Sequence, residues 1–454
     1  MRKEWQVLKN IVWILLFILL CLSPSPSNAK SNTNTMQAKK NYYTKLQIGL
    51  PEDVGISSER LKVVDECITT EISRGFPGAV LVIIKDGKII KDSAYGFAKR
   101  YDGHSVLSQP IKMKTTTIFD LASNTKMFST NFAMQQLVSQ GKVDLKQSVQ
   151  YYLPAFKDRD NDEIKGKAKI TVTDLLQHTA GLPSSIHYHD PKKAGVLYSQ
   201  DRELTKKMVI ATPLKHPPHT AQIYSDIDYM LLGIIIEEVT GVSLDDYVEK
   251  EIYKPLGLIH TKYNPLQKGE SQNEFAATEL FGNARDGAIS FPHIRKHTLQ
   301  GEVHDEKAFY SMAGVSGHAG LFSTGREMAV LLQVMLNGGG YGNLELFNQS
   351  TINQFTTPSS PDSSFALGWR INSDDHMHQF FSESAPSTAI GHTGWTGTMT
   401  VIDKENQLGI CLLTNKRHSH VIDPYKNPNV FAGDQSVISN YGKVIDLIYK
   451  AIIS

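Results

Sequence analysis

Two strand-like pairs at opposite ends of the chain constrain its fold more than any other feature. Ala79 to Ile84 and Lys88 to Ala94 flank Asp86-Gly87, a dipeptide suited to a tight hairpin. Far downstream, Thr398 to Ile402 and Leu408 to Thr414 flank Asp403-Lys-Glu-Asn406. Between them, from about Thr115 to Asn337, helical patterning dominates, as in Phe128 to Gln140, Thr173 to His178, Asp228 to Val239 and Arg326 to Leu336. Leu61, Val64, Ile68 and Ile72 give one further helix before the first hairpin, capped by Ser57 or Ser58 and stopped by Gly75. A run from Val444 to Ile453 gives another after the last strand. The prediction is an α/β fold: an antiparallel sheet from both termini, flanked by helices, with an inserted all-α region.

The 454 residues would hold two or three average domains, or one large enzyme domain carrying an insertion. Arg2 and Lys3, an apolar run from Ile11 to Leu22 and Ser27-Asn28-Ala29 have the layout of a secretory signal over 1–29, cut after Ala29. Flanking apolar residues would instead make it an uncleaved anchor, the only membrane contact expected. Leu20 before Cys21 disfavours a lipoprotein site. Residues 30–50 are polar and read as a linker, leaving 51–454 as the folded domain. The expected location is therefore extracytoplasmic, in the wall or periplasm. Forty-seven basic against 46 acidic residues, a net charge of +1, leave no electrostatic footprint for nucleic acid. Cys67 and Cys411 make no disulfide framework and read as buried free thiols.

The chemistry lies in three elements in fixed order: Ser123-Asn-Thr-Lys126, Tyr224-Ser-Asp226 and His392-Thr393-Gly394. A serine three residues before a lysine shares a helix face with it, close enough for the amine to take the hydroxyl proton. Ser27 with Lys30 and Ser139 with Lys142 repeat the spacing, but one pair lies in the export segment and the other at a helix end without matching partners. Lys126 serves as a base only when neutral, which calls for burial or nearby positive charge. Tyr224 can relay the proton to a leaving amine. Gly394 lets a strand approach the substrate closely, and the amides of Ser123 and Trp395 can hold the oxyanion. The expected product is an acyl-enzyme at Ser123, resolved by water.

Sixteen histidines include the spaced pairs His187/His189, His216/His219, His376/His378 and His418/His420, so a zinc amidase is a competing class. No HExxH helix supports it, and neither a metal nor another cofactor is expected. His304, Asp305 and Glu306 precede the glycine-rich Gly314 to Gly320 with His318 among the glycines, a stretch open to three readings: a metal ligand set, plain loop packing or a substrate-binding loop. A non-catalytic module binding wall peptides or antibiotics would tolerate loss of Ser123 or Lys126, and both are present. The stretch from Leu266 to Tyr310 shows no clear period.

Together with ITVTDLLQHTAGLP (170–183), YSDIDYMLLGIIIEEVTG (224–241), IYKPLGLIHT (252–261) and GHTGWTGTMT (391–400), these elements resemble the serine β-lactamase and penicillin-binding protein superfamily, in its class C-like branch. The resemblance covers roughly residues 50 to 454. VHDEKAFYSMAGVSGHAGLFST (303–324) resembles a narrower subgroup: N-acetylmuramyl-L-alanine amidases of muropeptide recycling and D-Ala-D-Ala carboxypeptidases. The resemblance implies Ser123 as nucleophile, Lys126 as base, Tyr224 as relay, and Asp226 and His392-Thr393-Gly394 on the substrate side. It further implies a muropeptide or peptidoglycan peptide as substrate, with β-lactams as further acyl donors and β-lactamase or esterase activity as lesser alternatives.

Two positions depart from the family pattern. Asp226 stands where Asn is usual, and a carboxylate there favours the ammonium form of Lys126, giving weight to deprotonation through Tyr224. His392 stands where many β-lactamases carry Lys, and a neutral imidazole attracts a carboxylate less than an ammonium does.

Overall fold

The computed structural model describes residues 42–358 and 364–453. The segment read as an export signal lies outside them. Its main sheet has eight strands: β1 (Gln47–Ile48), β2 (Gly78–Lys85), β3 (Lys88–Asp102), β4 (Ser105–Lys112), β5 (Arg370–Ile371), β6 (Ile390–Gly394), β7 (Thr398–Asp403) and β8 (Leu408–Thr414). Their spatial order is β1-β3-β2-β8-β7-β6-β5, with β4 on β3. All pairs are antiparallel except β1 with β3. The join between the chain's two ends is the β2–β8 pair, running in register from Lys85↔Leu408 to Ala79↔Thr414.

The first hairpin turns where expected. Asp86 and Gly87 both have positive φ (49° and 75°), the backbone a two-residue turn needs to match the strand twist. The unbroken apolar run of β2 has its reason in burial on both faces. Ala79, Leu81 and Ile83 meet α1 (Ser58–Ser73) and the C-terminal helix Tyr441–Tyr449, while Val80, Val82 and Ile84 meet the helix Gly325–Leu336 and the insertion. Each such side chain contributes about 1.5–3 kcal/mol by leaving water. Ser57 caps α1 by accepting from the Arg60 amide (3.2 Å).

Three expectations need amendment. Within the stretch read as linker, Tyr43 bridges to Gly342 and Gln47–Ile48 adds a parallel strand to β3, so the body begins before Pro51. Cys67 is only partly buried, whereas Cys411 is fully buried; both are free thiols. The insertion is mostly helical but also holds short sheets: Phe119–Asp120 with Leu321–Ser323 and Lys262–Tyr263, and Ala277–Glu279 with Leu299–Gln300. The aperiodic stretch around them is tied by buried polar pairs. Arg285 donates to Glu279 (2.6 Å) and Glu306 (3.1 Å), and Arg295 to Asn283 (2.8 Å) and the Val303 carbonyl (2.8 Å). Among the described residues, no helix is long and apolar enough to cross a membrane.

Candidate active site

The turn carrying Ser123 is strained and tightly held. Ala122, a non-glycine residue, sits in the left-handed region at φ 47°, a conformation costing on the order of 1–2 kcal/mol. Asp120 holds it: one carboxylate oxygen accepts from the Ala122 amide (2.8 Å), the other from the His304 amide (2.7 Å). The chain then winds into a π-helical turn, Lys126–Asn131, ahead of the helix Phe132–Ser139.

The β6–β7 hairpin is fastened to this turn by alternate threonines. Thr396 donates to the Asp120 carbonyl (2.8 Å) and Thr398 to that of Leu121 (2.9 Å). Asn124 donates to Thr398 Oγ1 (2.9 Å) and accepts from Thr400 (3.1 Å). Gly394 was expected to make room for substrate. Its missing side chain instead makes room for protein, since a Cβ there would lie 2.4 Å from the Leu121 carbonyl and 2.2 Å from Thr398 Oγ1.

Lys126 is fully buried. Its ammonium donates to Ser123 Oγ (3.1 Å), Asp226 Oδ1 (2.8 Å) and the His318 carbonyl (3.2 Å), and lies 4.8 Å from the Tyr224 ring centre. Burial pushes the Lys126 amine down, but Asp226 and Tyr224 outweigh it and hold it above the ordinary lysine range. Asp226 itself resists the upward push of burial because Lys126 and Lys307 hold it well below the usual carboxylate range. The expectation that this carboxylate favours the ammonium therefore stands.

Tyr224 is placed by the 170–183 segment. His178, at φ 61°, packs against the Tyr224 ring (4.8 Å between centres) and accepts at Nδ1 from the Ser225 amide (3.2 Å). Ser225 donates to the Pro183 carbonyl (2.7 Å) and caps the helix Asp226–Thr240. Burial, then Asp174 and Asp226, push Asp228 well above the carboxylate range, so it meets His178 Nδ1 (2.9 Å) as a neutral acid. Burial, then Lys126, keep His178 neutral.

Ser123, Tyr224, His392, Thr393, Gly394 and Trp395 line one cavity of about 430 Å³. His392 Nδ1 lies 2.7 Å from the Thr393 carbonyl, which only accepts, so the proton sits on Nδ1. Burial, then Lys126, push its ionisation down to about 3, leaving the buried Nε2 a bare acceptor with no protein partner among the described residues. Two residues expected on the substrate side stand elsewhere. His318 is buried with Nε2 against Asp305 (3.0 Å) and Nδ1 against Ser316 (2.8 Å), touching the site through its carbonyl. Asp226 gives one oxygen to Lys126 and the other to Lys307 (3.3 Å).

Lys307, His178, Asp228 and Asp120 escaped the sequence reading, and only the charged run His304-Asp-Glu-Lys307 before the glycine loop hinted at the first. Asp226, Asp305 and His318 have ligand atoms within 4.8 Å of one another, the only such group of three or more among the described residues. Lys126 and Lys307 already meet its carboxylates. None of the four spaced histidine pairs joins such a group.

The chain is similar to known proteins in sequence and in fold. The chain is 58% identical over 401 residues to a Bacillus subtilis (strain 168) protein named N-acetylmuramyl-L-alanine amidase, covering 88% of this chain and 91% of that one. It is 50% identical over 439 residues to an Escherichia coli (strain K12) protein provisionally named a D-alanyl-D-alanine carboxypeptidase, covering 97% and 98%. In fold it resembles a penicillin-binding protein homologue from Caulobacter crescentus (TM-score 0.60, 19% identity, 87% and 99% covered) and the hydrolase EstCE1 (0.64, 18%, 86% and 98%). The Beta-lactamase family profile matches residues 60–435, and the chain belongs to that family of serine hydrolases.

Proposed function

We propose that the protein is an exported N-acetylmuramyl-L-alanine amidase, cutting the bond between the lactyl group of muramic acid and L-alanine through a Ser123 acyl-enzyme. The observation that carries the choice of bond is His392. Lining the cavity as a neutral ring, it offers a substrate carboxylate no charge, which favours an uncharged group there, such as an amide or a sugar hydroxyl. The relative sharing 58% of its residues carries the amidase name.

In the proposed reaction Ser123 Oγ attacks the lactyl carbonyl and its proton passes to the Lys126–Tyr224 pair. Tyr224 delivers a proton to the amine as the C–N bond breaks, and water hydrolyses the ester. Because Lys126 rests as an ammonium, it must release one proton before accepting another, so the rate rises with pH as Lys126 deprotonates.

The second reading, a D-Ala-D-Ala carboxypeptidase, draws on Arg370, Lys416 and Arg417, which line the same cavity and would receive a terminal carboxylate. Mass analysis of MurNAc-pentapeptide digests separates the two. Release of the intact peptide supports the amidase and loss of one alanine the carboxypeptidase; neither product from folded protein sinks both. Turnover by Ser123→Ala would remove the serine mechanism. Export rests on the layout of residues 1–29, and N-terminal sequencing of extracytoplasmic protein should begin after Ala29; protein confined to the cytosol would refute it.

A further inference from the structure

The Lys126–Asp226 contact belongs to a closed circuit. From Lys126 it runs to Asp226 Oδ1 (2.8 Å), from Asp226 Oδ2 to Lys307 Nζ (3.3 Å), and from Lys307 to Asp305 Oδ2 (3.0 Å). Asp305 Oδ1 then meets His318 Nε2 (3.0 Å), and the His318 carbonyl returns to Lys126 (3.2 Å). Lys307 is buried, and its ammonium is fixed between two carboxylates. Nothing in the serine, lysine and tyrosine chemistry uses it. A buried cation at this distance acts on the site electrostatically, because low dielectric lengthens its reach.

We infer that Lys307 is a positioning residue for the Ser123 reaction: by sharing the Asp226 carboxylate it loosens that carboxylate's hold on the Lys126 proton, and so sets the pH at which Ser123 becomes nucleophilic. Asp226 alone, at 2.8 Å from a buried amine, would favour the ammonium strongly. Lys307 draws the second oxygen away and adds a positive charge that opposes protonation of Lys126. This supplies the nearby positive charge that a lysine base requires, and offsets the departure from asparagine at 226.

The groups facing Lys126 are Tyr224, Asp226 and Tyr229, the buried His178 and Asp228, His392 from the cavity, and the His318 carbonyl. Those facing Lys307 are Asp305, Glu306 and Asp226, with His187 and His189 beyond. The two histidines are pushed down chiefly by burial, so the carboxylates dominate around Lys307.

The inference rests on the reading of Ser123 as nucleophile, but not on which amide is cut. The test is the rate at which a fluorophosphonate probe labels Ser123 in the full chain between pH 7 and 12, a window that brackets a lysine held above its ordinary range. Lys307→Met should move the rising limb to higher pH by about one unit, an approximately tenfold loss below the limb, and leave the plateau intact. Lys307→Arg should keep the limb in place. Asp226→Asn should move it to lower pH, and should restore it in the Lys307→Met background.

A uniform fall at every pH, with the limb unmoved, overturns the inference. So does failure of Asp226→Asn to restore the limb. If Lys307→Met does not fold, the near-isosteric Asp226→Asn decides alone, since an unmoved limb refutes the electrostatic role. Labelling that persists in Ser123→Ala overturns the nucleophile reading and the inference with it.

Discussion

The threonine fastening makes a measurable prediction at Thr398. Its hydroxyl is buried, donates to the Leu121 carbonyl and accepts from Asn124, both at 2.9 Å. Thr398→Val keeps the volume and leaves a buried carbonyl and a buried amide N–H each one partner short. The Leu121 carbonyl still accepts from the Asn124 main-chain amide (3.1 Å), so only the Asn124 side-chain N–H is stranded, at about 1–3 kcal/mol; with about 1 kcal/mol for the carbonyl's lost bond, the loss should be about 2–4 kcal/mol. Thr398→Ser, which keeps both bonds and sheds a methyl, should lose only about 1 kcal/mol. Urea unfolding followed by far-UV circular dichroism and by tryptophan fluorescence gives the comparison, with coincident transitions licensing a free energy. Leu121 lies two residues before Ser123, so the valine variant should also label more slowly with the fluorophosphonate. Equal stability of the valine and serine variants, or wild-type labelling by valine, would refute the idea that the hydroxyls hold the nucleophile turn.

Other substitutions test the substrate side and the buried histidines. His392→Lys exchanges the bare acceptor for an ammonium, and kcat/KM for a peptide ending in D-Ala-D-Ala should rise roughly tenfold or more. An unchanged value would remove His392 from bond selection. His392 and His418 are both held neutral down to about 3, chiefly by burial, against about 6.5 in an unfolded chain. The unfolded chain therefore binds more protons between those values, and stability falls as pH falls through that window. From pH 7 to 5 the loss should be about 2 kcal/mol for each ring, read from urea midpoints; a flat profile would contradict their neutral burial.

The sheet was legible because its strands carry local signals. The unbroken apolar run of β2 and the Asp86-Gly87 turn state their role without reference to the rest of the chain. Ser123, Lys126, Tyr224, His392, Thr393, Gly394 and Trp395 lie together for the same reason, each belonging to a short motif. What escaped depends on long-range charge pairing. Arg285, Arg295, Glu279 and Glu306 build a buried region without apolar period, and a buried ion pair looks like surface charge in a sequence. Lys307 was hidden likewise: only the fold reveals that it faces Asp226. His318 and Gly394 were found, but their reasons were misassigned, because a sequence cannot say whether glycine room is filled by substrate or by protein.

The β2–β8 pair joins residues 78–85 to residues 408–414, and Thr396 with Thr398 of β7 fastens the turn carrying Ser123. During ribosomal synthesis, then, Ser123, Lys126 and Tyr224 all emerge long before the strand that closes the sheet over them. A chain ended early by a premature stop would carry every reactive side chain and still lack the scaffold that brings them into register. Assembly of the Ser123 site is in this way deferred until synthesis is nearly finished, a consequence of strand order alone.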